Sequence, residues 1–325
     1  MGVSTRSVIV TTRHAERVHP ELERMSGIGV RARYELAGVR DPGELARELD
    51  GAWAVIAASE PYTSAVFAGA PSLKAILRWG TGSDAIDIEA ATAAGVAVVT
   101  TPGANAEAVA DMALALMLSC LRRLPELDDA VRAGRWRATT APARDLAGAT
   151  AGVVGLGAVG RAVVRRLRGF GCRVLALELN PDLEFCAEHE VELVELEAML
   201  PRVDVLTLHA PHTPATRGLI GARELALLPR HAIVVNTARG ELIDQAALVA
   251  ALIEGRIAGA GLDVFEREPP TPGDPILSAP HTVLSGHVSS YSELGLDRTA
   301  AAVLANLRDV LDGRLPPSCL NPQAW

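Results

Sequence analysis

The sequence predicts an α/β protein with two domains, each built on a parallel β-sheet. Short apolar runs alternate with helical segments along the chain, which is typical of βαβ units. The apolar run Ala151–Val154 leads into three glycines at GxGxxG spacing, Gly155, Gly157 and Gly160, and a helical segment follows. The chain has 325 residues, 49% of them hydrophobic, which is enough for two domains with buried cores.

The glycine-rich turn predicts a dinucleotide site. Gly155 permits the tight turn, Gly157 lets the backbone approach a pyrophosphate, and Gly160 lets the helix lie close on the strand. The N-terminus of that helix offers unpaired N–H groups and a partial positive charge to the phosphates. The run Cys172–Leu177 then ends at Glu178, about 20 residues past the last glycine, where an acid hydrogen-bonds the adenosine ribose. An ionised Glu178 also repels a 2′-phosphate, so we expect NAD rather than NADP. The alternative is a surface carboxylate at a strand end.

Composition and charge exclude several classes of protein. The net charge is −8 and the sequence pI is about 5.5, and no long block of lysine or arginine offers a nucleic-acid surface. Apolar stretches are interrupted well short of a membrane span, and the N-terminus lacks the apolar core of a secretion signal. The cysteines form no CxxC pair and are Cys120, Cys172, Cys186 and Cys319. We therefore expect a cytoplasmic protein with reduced thiols and no metal site, which binds neither nucleic acid nor membrane.

The first part of the chain is predicted to be a small α/β unit of its own. Strands are expected at Ser7–Thr11, Ala52–Ala58, Ala75–Arg78 and Ala97–Thr100. Asp41-Pro42 opens a short helix, and a second helix, Ile88–Ala94, stops at Gly95. No glycine fingerprint follows the first strand, so the cofactor is expected to bind elsewhere.

The second domain begins with a long apolar helix predicted from Asn105 to about Arg123, either a buried crossover or a subunit interface. Residues from Thr139 to Gly148 are predicted to be irregular. After the glycine turn, further strands are expected at Val191–Val194, Val203–His209, Ala232–Thr237, Ala258–Val264 and Thr282–Ser285. A last helix, from about Ser292 to Leu311, is expected to return the chain to the first domain.

Three ionisable residues follow predicted strands of this second domain: Arg239, Glu268 and His287. In open α/β sheets, ligands bind at the carboxyl ends of the strands. An arginine fork binds a carboxylate, a histidine exchanges a proton near neutral pH, and a carboxylate beside the imidazole favours its protonated form. Beside a nicotinamide, this set suits hydride transfer to a 2-oxo acid. Taken singly, each has a structural alternative: a strand-end cap, a solvated loop acid or a satisfied histidine.

Several long motifs occur in one order along the chain. They are WGTGSDAIDIEAATAAGVAVVTTPGANAEAVAD (Trp79–Asp111), GLGAVGR (Gly155–Arg161), LHAPHTPATRGLIG (Leu208–Gly221), VNTARGELID (Val235–Asp244) and GLDVFEREPP (Gly261–Pro270). With them the chain resembles the D-isomer-specific 2-hydroxyacid dehydrogenases, the family of D-3-phosphoglycerate dehydrogenase and the glyoxylate/hydroxypyruvate reductases. The resemblance implies two Rossmann-like domains with doubly wound parallel sheets. A discontinuous substrate domain (1–101 plus 290–325) would hold an inserted NAD-binding domain (102–289), with the active site in the cleft, and a homodimer built on the latter.

The resemblance also implies a function and roles for individual residues. The function is NAD-dependent hydride transfer between nicotinamide and a small D-2-hydroxy acid or 2-oxo acid. Arg239 would bind the substrate, His287 would be the acid/base, and Glu268 would be its carboxylate partner. The cofactor would lie against Gly155, Gly157, Ala158, Val159, Gly160, Glu178, Pro211, Thr216, Thr237, Ala238, Arg239, Asp263 and His287, with Asp263 at the nicotinamide amide. The substrate would lie against Thr81, Gly82, Asn105 and Arg239, with backbone N–H groups of the Gly80–Gly82 turn holding its carboxylate.

Departures from the family pattern leave alternatives open. Gly286 precedes His287 where the family usually has proline, and the following Tyr291-Ser292-Glu293 is similar to the C-terminal-binding-protein branch, which includes transcriptional corepressors. One alternative is therefore an NAD(H)-sensing binding protein. Another is a phosphite dehydrogenase, although that relative carries a lysine where this chain has Trp79. Arg13 and His14 would either bind a second anionic group or remain solvated.

Overall fold

The computed structural model describes residues 6–25, 28–137 and 142–325. The chain divides into two compact units, the first made of Met1–Asn105 and Ser292–Trp325 and the second of Ala106–Tyr291. Each unit has a parallel sheet, so the predicted two-domain α/β fold is confirmed. The expected boundaries, 101/102 and 289/290, fall a few residues from these divisions. Residues 139–141, part of the segment expected to be irregular, lie outside the described residues.

The first unit has a five-stranded sheet in the order β2-β1-β3-β4-β5. Its elements before the second unit are β1 (Arg6–Val10), α1 (His19–Leu22), β2 (Ile28–Ala32), α2 (Pro42–Glu48), β3 (Ala54–Ala57), α3 (Ser64–Gly69), β4 (Ala75–Arg78), α4 (Ile88–Ala93) and β5 (Ala97–Val99). The chain goes from β1 to β2 on one side and then crosses to β3 on the other. The carboxyl ends of β1 and β3 therefore flank a switch point, where open sheets form a crevice.

Strand β2 was absent from the sequence prediction. It is an edge strand whose residues are partly or fully exposed, and it contains Gly29 and Arg31. An exposed edge strand lacks the continuous apolar run that identifies a buried parallel strand. The four strands that were predicted carry that apolar run and are present.

The second unit has a seven-stranded sheet in the order β12-β11-β10-β9-β6-β7-β8. Its elements are α5 (Ala106–Arg122), α6 (Leu124–Arg132), β6 (Thr150–Val154), α7 (Ala158–Gly169), β7 (Arg173–Leu177), α8 (Leu183–Glu188), β8 (Val191–Leu193), α9 (Leu196–Met199), β9 (Val205–Leu208), α10 (Ala222–Leu227), β10 (Ile233–Asn236), α11 (Gln245–Ile253), β11 (Gly259–Leu262) and β12 (Thr282–Leu284). The switch point lies between β6 and β9, beside the glycine turn that follows β6.

Helix α5 is the predicted long apolar helix, and the structure shows it as a buried crossover. Leu114, Leu116 and Met117 are buried and pack in the same core as the β10 residues Ile233 and Val235. The helix also lies close to Gly261 of β11, where an added Cβ atom would stand 2.8 Å from the Leu116 Cβ. The apolar face of α5 therefore covers the sheet of its own unit.

The last helix, α12 (Glu293–Leu311), belongs to the first unit, as expected. The Ser292 side chain caps it by accepting a hydrogen bond from the Gly295 N–H at 3.0 Å. Val303 and Leu307 are buried against Val8 and Val10 of β1. Helix α12 thus covers one face of the five-stranded sheet.

Along the described parts of the chain, no helix has both the length and the apolar run that a membrane crossing needs. The four cysteines are free thiols. Burial raises the pKa of Cys120 to about 12. This thiol therefore stays protonated and unreactive near neutral pH.

Gly160→Ala is expected to destabilise the second unit by about 2–3 kcal/mol. An added Cβ would stand 2.0 Å from the Gly155 carbonyl oxygen, a backbone atom that cannot turn aside as a flexible side chain can. Urea unfolding followed by circular dichroism measures the effect. Gly169→Ala, at the other end of α7, is the matched control, because no atom lies within 4 Å of its added Cβ. Equal midpoints for the two variants would contradict this explanation of Gly160.

Candidate active site

The turn between β6 and α7 has the geometry expected of the GxGxxG motif. Gly155 has a φ of +93°, and an added Cβ would stand 2.8 Å from the Ala210 nitrogen. An added Cβ at Gly157 meets no atom within 4 Å. Among the described residues, the N–H groups of Ala158 and Val159 have no acceptor, and no side chain caps the helix. The turn therefore offers open space and free donors to a phosphate group.

Glu178 directly follows β7 and reaches back to the glycine turn. One carboxylate oxygen accepts the Leu156 N–H at 2.6 Å, and the other accepts the Asn180 N–H at 3.0 Å. Burial raises the pKa of Glu178, but these backbone donors and the Arg161 charge outweigh it and hold the pKa below its ordinary value. Glu178 is therefore an anion near neutral pH.

Two of the expected cofactor residues are Thr216, after β9, and Thr237, after β10. The Thr216 hydroxyl is hydrogen-bonded within its turn, whereas the Thr237 hydroxyl has no partner among the described residues. The Thr216 hydroxyl donates to the Pro211 carbonyl oxygen at 2.7 Å and accepts the Thr213 N–H at 2.8 Å, so it closes this turn. Thr237 is 7% exposed, and its buried hydroxyl has no partner among the described residues. A buried hydroxyl without a partner needs an acceptor or donor from elsewhere. This orphaned group, the open glycine turn and Glu178 together fit a bound dinucleotide.

Arg239 lies in a turn that Asn236 braces from inside the protein. Asn236, at the end of β10, is 1% exposed, donates to the Arg239 carbonyl oxygen at 2.8 Å and accepts the Ala238 N–H at 3.0 Å. The partly buried Arg239 guanidinium donates to the Ala238 carbonyl oxygen at 2.7 Å. The role of Asn236 was not predicted, although a polar residue at the end of an apolar strand is a signal for it.

The Arg239 turn touches the loop that leads to Glu268. An added Cβ at Gly240 would stand 1.9 Å from the Phe265 carbonyl carbon, so the two backbones are in direct contact. Only glycine permits this approach. This backbone contact brings the turn that carries Arg239 next to the loop that carries Glu268.

Glu268 and His287 form a direct pair. The His287 Nδ1 lies 2.6 Å from the Glu268 Oε2, and the Glu268 Oε1 accepts the Phe265 N–H at 3.1 Å. Burial raises the pKa of Glu268, but His287, the Phe265 N–H and the Arg239 charge outweigh it and lower the pKa overall. Glu268 is therefore a carboxylate in hydrogen-bond contact with the His287 ring. The second unit thus brings the three predicted catalytic residues together.

Asp263 shapes the loop that carries His287. Its side chain is fully buried and accepts the Ser285 hydroxyl at 2.6 Å, the Val288 N–H at 3.0 Å and the Ser289 N–H at 2.9 Å. The Asp263 carbonyl oxygen also accepts the His287 N–H at 2.7 Å. His287 has a φ of +54°, a conformation that needs such support. Contact between Asp263 and a nicotinamide stays a prediction. The structure shows that Asp263 holds the His287 loop through its hydrogen bonds.

His209 follows β9 at the same edge of the sheet but does not suit proton transfer. Its Nε2 lies 2.9 Å from the Thr207 hydroxyl, and burial lowers the pKa of His209 to about 3. The imidazole is therefore neutral near neutral pH and supplies no proton. His287 remains the suitable acid/base at this edge.

The expected substrate residues Thr81, Gly82 and Asn105 belong to the first unit. Among the described residues, the N–H groups of Thr81 and Gly82 have no acceptor. The Gly80 N–H, in contrast, donates to the Thr101 hydroxyl at 3.1 Å. The Gly80 N–H is therefore engaged within the unit, and the Thr81 and Gly82 N–H groups remain as donors.

Arg13 and His14 follow β1 in the same unit. Arg13 is exposed, and the partly buried His14 ring lies 6.5 Å from the Trp79 ring, centroid to centroid. Burial, and then the Arg17 charge, lower the pKa of His14. His14 is therefore mostly neutral near pH 7. Its imidazole would add little positive charge for a second anionic group of a substrate.

The fold and the site together define a dinucleotide-dependent dehydrogenase of the α/β class. Residues 114–289 match the family described as "D-isomer specific 2-hydroxyacid dehydrogenase, NAD binding domain". The chain belongs to this family, as the sequence motifs predicted.

Relatives of known name are similar over most of this chain. A glyoxylate reductase of Korarchaeum cryptofilum is 42% identical over 269 residues, which cover 82% of this chain and 81% of the relative. A D-3-phosphoglycerate dehydrogenase of Archaeoglobus fulgidus is 40% identical over 76% of this chain. The aligned part is 47% of that relative, so this chain spans about half its length.

Solved structures resemble the whole chain. A glyoxylate reductase from Paecilomyes thermophila has a TM-score of 0.84 at 30% identity, covering 98% of this chain and 99% of that one. An NADPH-dependent glyoxylate/hydroxypyruvate reductase from Sinorhizobium meliloti gives the same TM-score, identity and coverage. Family membership confirms the predicted activity, hydride transfer between a nicotinamide dinucleotide and a 2-hydroxy or 2-oxo acid, and does not support the binding-protein or phosphite alternatives.

Asp263→Asn is expected to destabilise the second unit by about 2–3 kcal/mol, because an amide NH₂ would face buried donors and leave them unsatisfied. Ser285→Ala removes only one of the three donors and is expected to cost about 1 kcal/mol. Urea unfolding of both variants measures the difference. An Asp263→Asn protein as stable as the wild type would show that the carboxylate does not hold the loop.

Proposed function

We propose that this protein reduces a small 2-oxo acid to the D-2-hydroxy acid with NADH, or catalyses the reverse oxidation. The observation that carries the proposal is the 2.6 Å contact between His287 and Glu268, with the Arg239 charge acting on the same carboxylate. This group lies at the carboxyl edge of the sheet whose first βα turn carries the glycine motif. It supplies a proton donor and a cation at the edge where ligands bind.

The roles of the three residues follow from this geometry. The bound nicotinamide supplies the hydride that reaches the carbonyl carbon. Because Glu268 engages the Nδ1 of His287, the Nε2 is the nitrogen that remains to protonate the carbonyl oxygen. Glu268 stabilises the imidazolium before transfer and keeps the ring oriented. The Arg239 fork binds the substrate carboxylate and polarises the adjacent carbonyl group.

NAD is the proposed cofactor, and Glu178 supports this choice. Its carboxylate is held beside the glycine turn and is ionised near neutral pH. A 2′-phosphate close to this anion would be repelled. The free N–H groups of Ala158 and Val159 and the orphaned Thr237 hydroxyl are the proposed contacts for the rest of the dinucleotide.

The first unit is proposed to be the substrate domain, with bounds near 1–101 and 290–325, and 102–289 the NAD-binding domain. The free N–H groups of Thr81 and Gly82 support binding of the substrate carboxylate. Asn105 is proposed to contact the substrate as well.

A cytoplasmic homodimer is the proposed state of the protein. Apolar side chains of the second unit support the dimer, because Leu124, Val131 and Trp136 are 57%, 54% and 77% exposed. The free thiols support a reducing compartment.

His287→Asn is expected to lower turnover by ~10² to 10⁴ and leave NADH binding nearly unchanged. Asparagine tolerates the left-handed backbone, so the change removes the acid/base without adding strain. NADH oxidation with glyoxylate, hydroxypyruvate, pyruvate and phenylpyruvate measures turnover. His281→Asn is the control, since His281 is also left-handed, with a φ of +56°, and pairs at the surface with Glu126.

Two results would contradict the proposal. One is a His287→Asn protein with wild-type turnover. The other is a wild type that binds NADH tightly and reduces none of these acids, as expected of a sensing protein.

Glu178→Gln is expected to narrow the preference for NADH over NADPH by about tenfold, because it removes the charge that repels a 2′-phosphate. The ratio of kcat/KM for the two cofactors measures the preference. Glu184→Gln removes the same charge from an exposed position of α8 and is expected to leave the ratio unchanged. A wild type that prefers NADPH would show that Glu178 does not select the cofactor.

A further inference from the structure

Thr101 lies at the carboxyl edge of the first sheet, beside the turn that is proposed to bind the substrate carboxylate. Strands β4 and β5 are parallel neighbours, with Leu77 opposite Val99. Two residues past this pair, the chain reaches Trp79 at the start of the 79–82 turn on one side and Thr101 on the other. Thr101 is 2% exposed. A buried hydroxyl group therefore stands beside the turn.

Thr101 holds Gly80 by both of its backbone groups. The Thr101 hydroxyl accepts the Gly80 N–H at 3.1 Å, and the Thr101 N–H donates to the Gly80 carbonyl oxygen at 3.1 Å. The Gly80 N–H also donates to the Arg78 carbonyl oxygen at 3.0 Å, but that bond joins residues of one strand end. The bonds to Thr101 are the ones that anchor the turn to the segment following β5.

This anchor sets the direction of the Thr81 N–H. The C=O of Gly80 and the N–H of Thr81 belong to one planar trans peptide group, in which they point in opposite directions. Because the Gly80 carbonyl oxygen faces Thr101, the Thr81 N–H faces away from it. Among the described residues, this N–H and that of Gly82 have no acceptor. The anchored turn therefore keeps both donors available to a ligand.

Thr101 also begins the turn that leads to Asn105, another expected substrate residue. The Thr101 carbonyl oxygen accepts the Ala104 N–H at 3.3 Å and lies 3.4 Å from the Thr81 hydroxyl. One buried residue thus joins the two segments of the first unit that are proposed to contact the substrate.

The 79–82 turn has a second brace, which does not involve Thr101. The Arg78 Nε donates to the Gly82 carbonyl oxygen at 2.9 Å, and its Nη1 donates to the Trp79 carbonyl oxygen at 2.9 Å. Loss of the Thr101 hydroxyl is therefore expected to loosen the turn at Gly80 and leave the first unit folded.

We propose that Thr101 is a positioning residue, whose hydroxyl fixes the Gly80 end of the 79–82 turn and so aims the Thr81 and Gly82 N–H groups at the substrate carboxylate. The inference rests on the proposed function, in which this turn binds the carboxylate. It gives Thr101 an effect on the affinity for the substrate and none on the hydride and proton transfers in the second unit.

Thr101→Val tests the proposal because it removes the hydroxyl and keeps the shape of the side chain. Assays use NADH, the 2-oxo acid that the wild type reduces best, and oxalate as a competing carboxylate that cannot be reduced. We expect the KM for the 2-oxo acid and the Ki for oxalate to rise about fivefold, as for the loss of about one hydrogen bond. We expect kcat to stay within about twofold, because the effect is on binding, and the KM for NADH to stay unchanged.

Two further variants serve as controls. Thr101→Ser keeps a hydroxyl group at the same position and is expected to have a KM and a Ki within about twofold of the wild type. Thr100→Val loses the same atoms from the preceding residue, which is 3% exposed and whose hydroxyl lies 3.4 Å from the Ser318 carbonyl oxygen, not from the turn. It should leave the KM and the Ki unchanged.

Thermal unfolding of each variant separates a positioning role from a structural one. A Thr101→Val protein that loses kcat, affinity for NADH and thermal stability together would indicate a purely structural residue and overturn the inference. A wild-type KM and oxalate Ki in the folded variant would also overturn it. If Thr101→Val does not fold, Thr101→Ala removes the hydroxyl without adding a methyl group in its place and should raise the KM and the Ki with kcat retained.

Failure of the proposed function gives a different result. A wild type that reduces no 2-oxo acid overturns the proposed function, and the inference with it. A wild type that reduces a 2-oxo acid, with a Thr101→Val protein that binds this acid and oxalate equally well, overturns the inference alone.

Discussion

The hydrogen bonds to the buried Asp263 carboxylate organise the candidate active site. A fully buried carboxylate is costly unless its oxygens find donors, and here a hydroxyl and two N–H groups of one loop supply them. In the loop conformation that satisfies the carboxylate, His287 has a positive φ. That conformation brings the imidazole to Glu268. The contact between His287 and Glu268, which the proposed chemistry needs, therefore depends on the hydrogen bonds to Asp263.

Both sheets concentrate their polar side chains at the carboxyl edge, and each does so at its own switch point. In the second unit the glycine turn follows β6, beside β9, and the catalytic candidates follow β10, β11 and β12. In the first unit Thr11 follows β1, Glu60 follows β3 and Arg78 ends β4. Parallel strands end at one edge, so residues far apart in sequence meet there. We propose that the same topology serves hydride transfer in one unit and carboxylate recognition in the other.

Buried strands were predicted well because their apolar runs reflect burial on both faces. Most predicted ends extended one or two residues too far, as at Val203–His209 against the observed Val205–Leu208, because residue type does not mark where strand pairing stops. The exposed edge strand Ile28–Ala32 was missed for the opposite reason. Arg239, Glu268 and His287 were identified because each follows a strand, and the resemblance assigned their roles.

The sequence by itself determined the α/β class, the glycine turn, the acid at Glu178 and the family, because spacing and apolar periodicity are properties of the chain read in order. Only the tertiary structure decided which donors meet Asp263, that Gly240 touches Phe265 and that burial keeps His209 neutral. These contacts join residues from different strands and loops. Strand order sets such contacts, and no local pattern in the sequence records it.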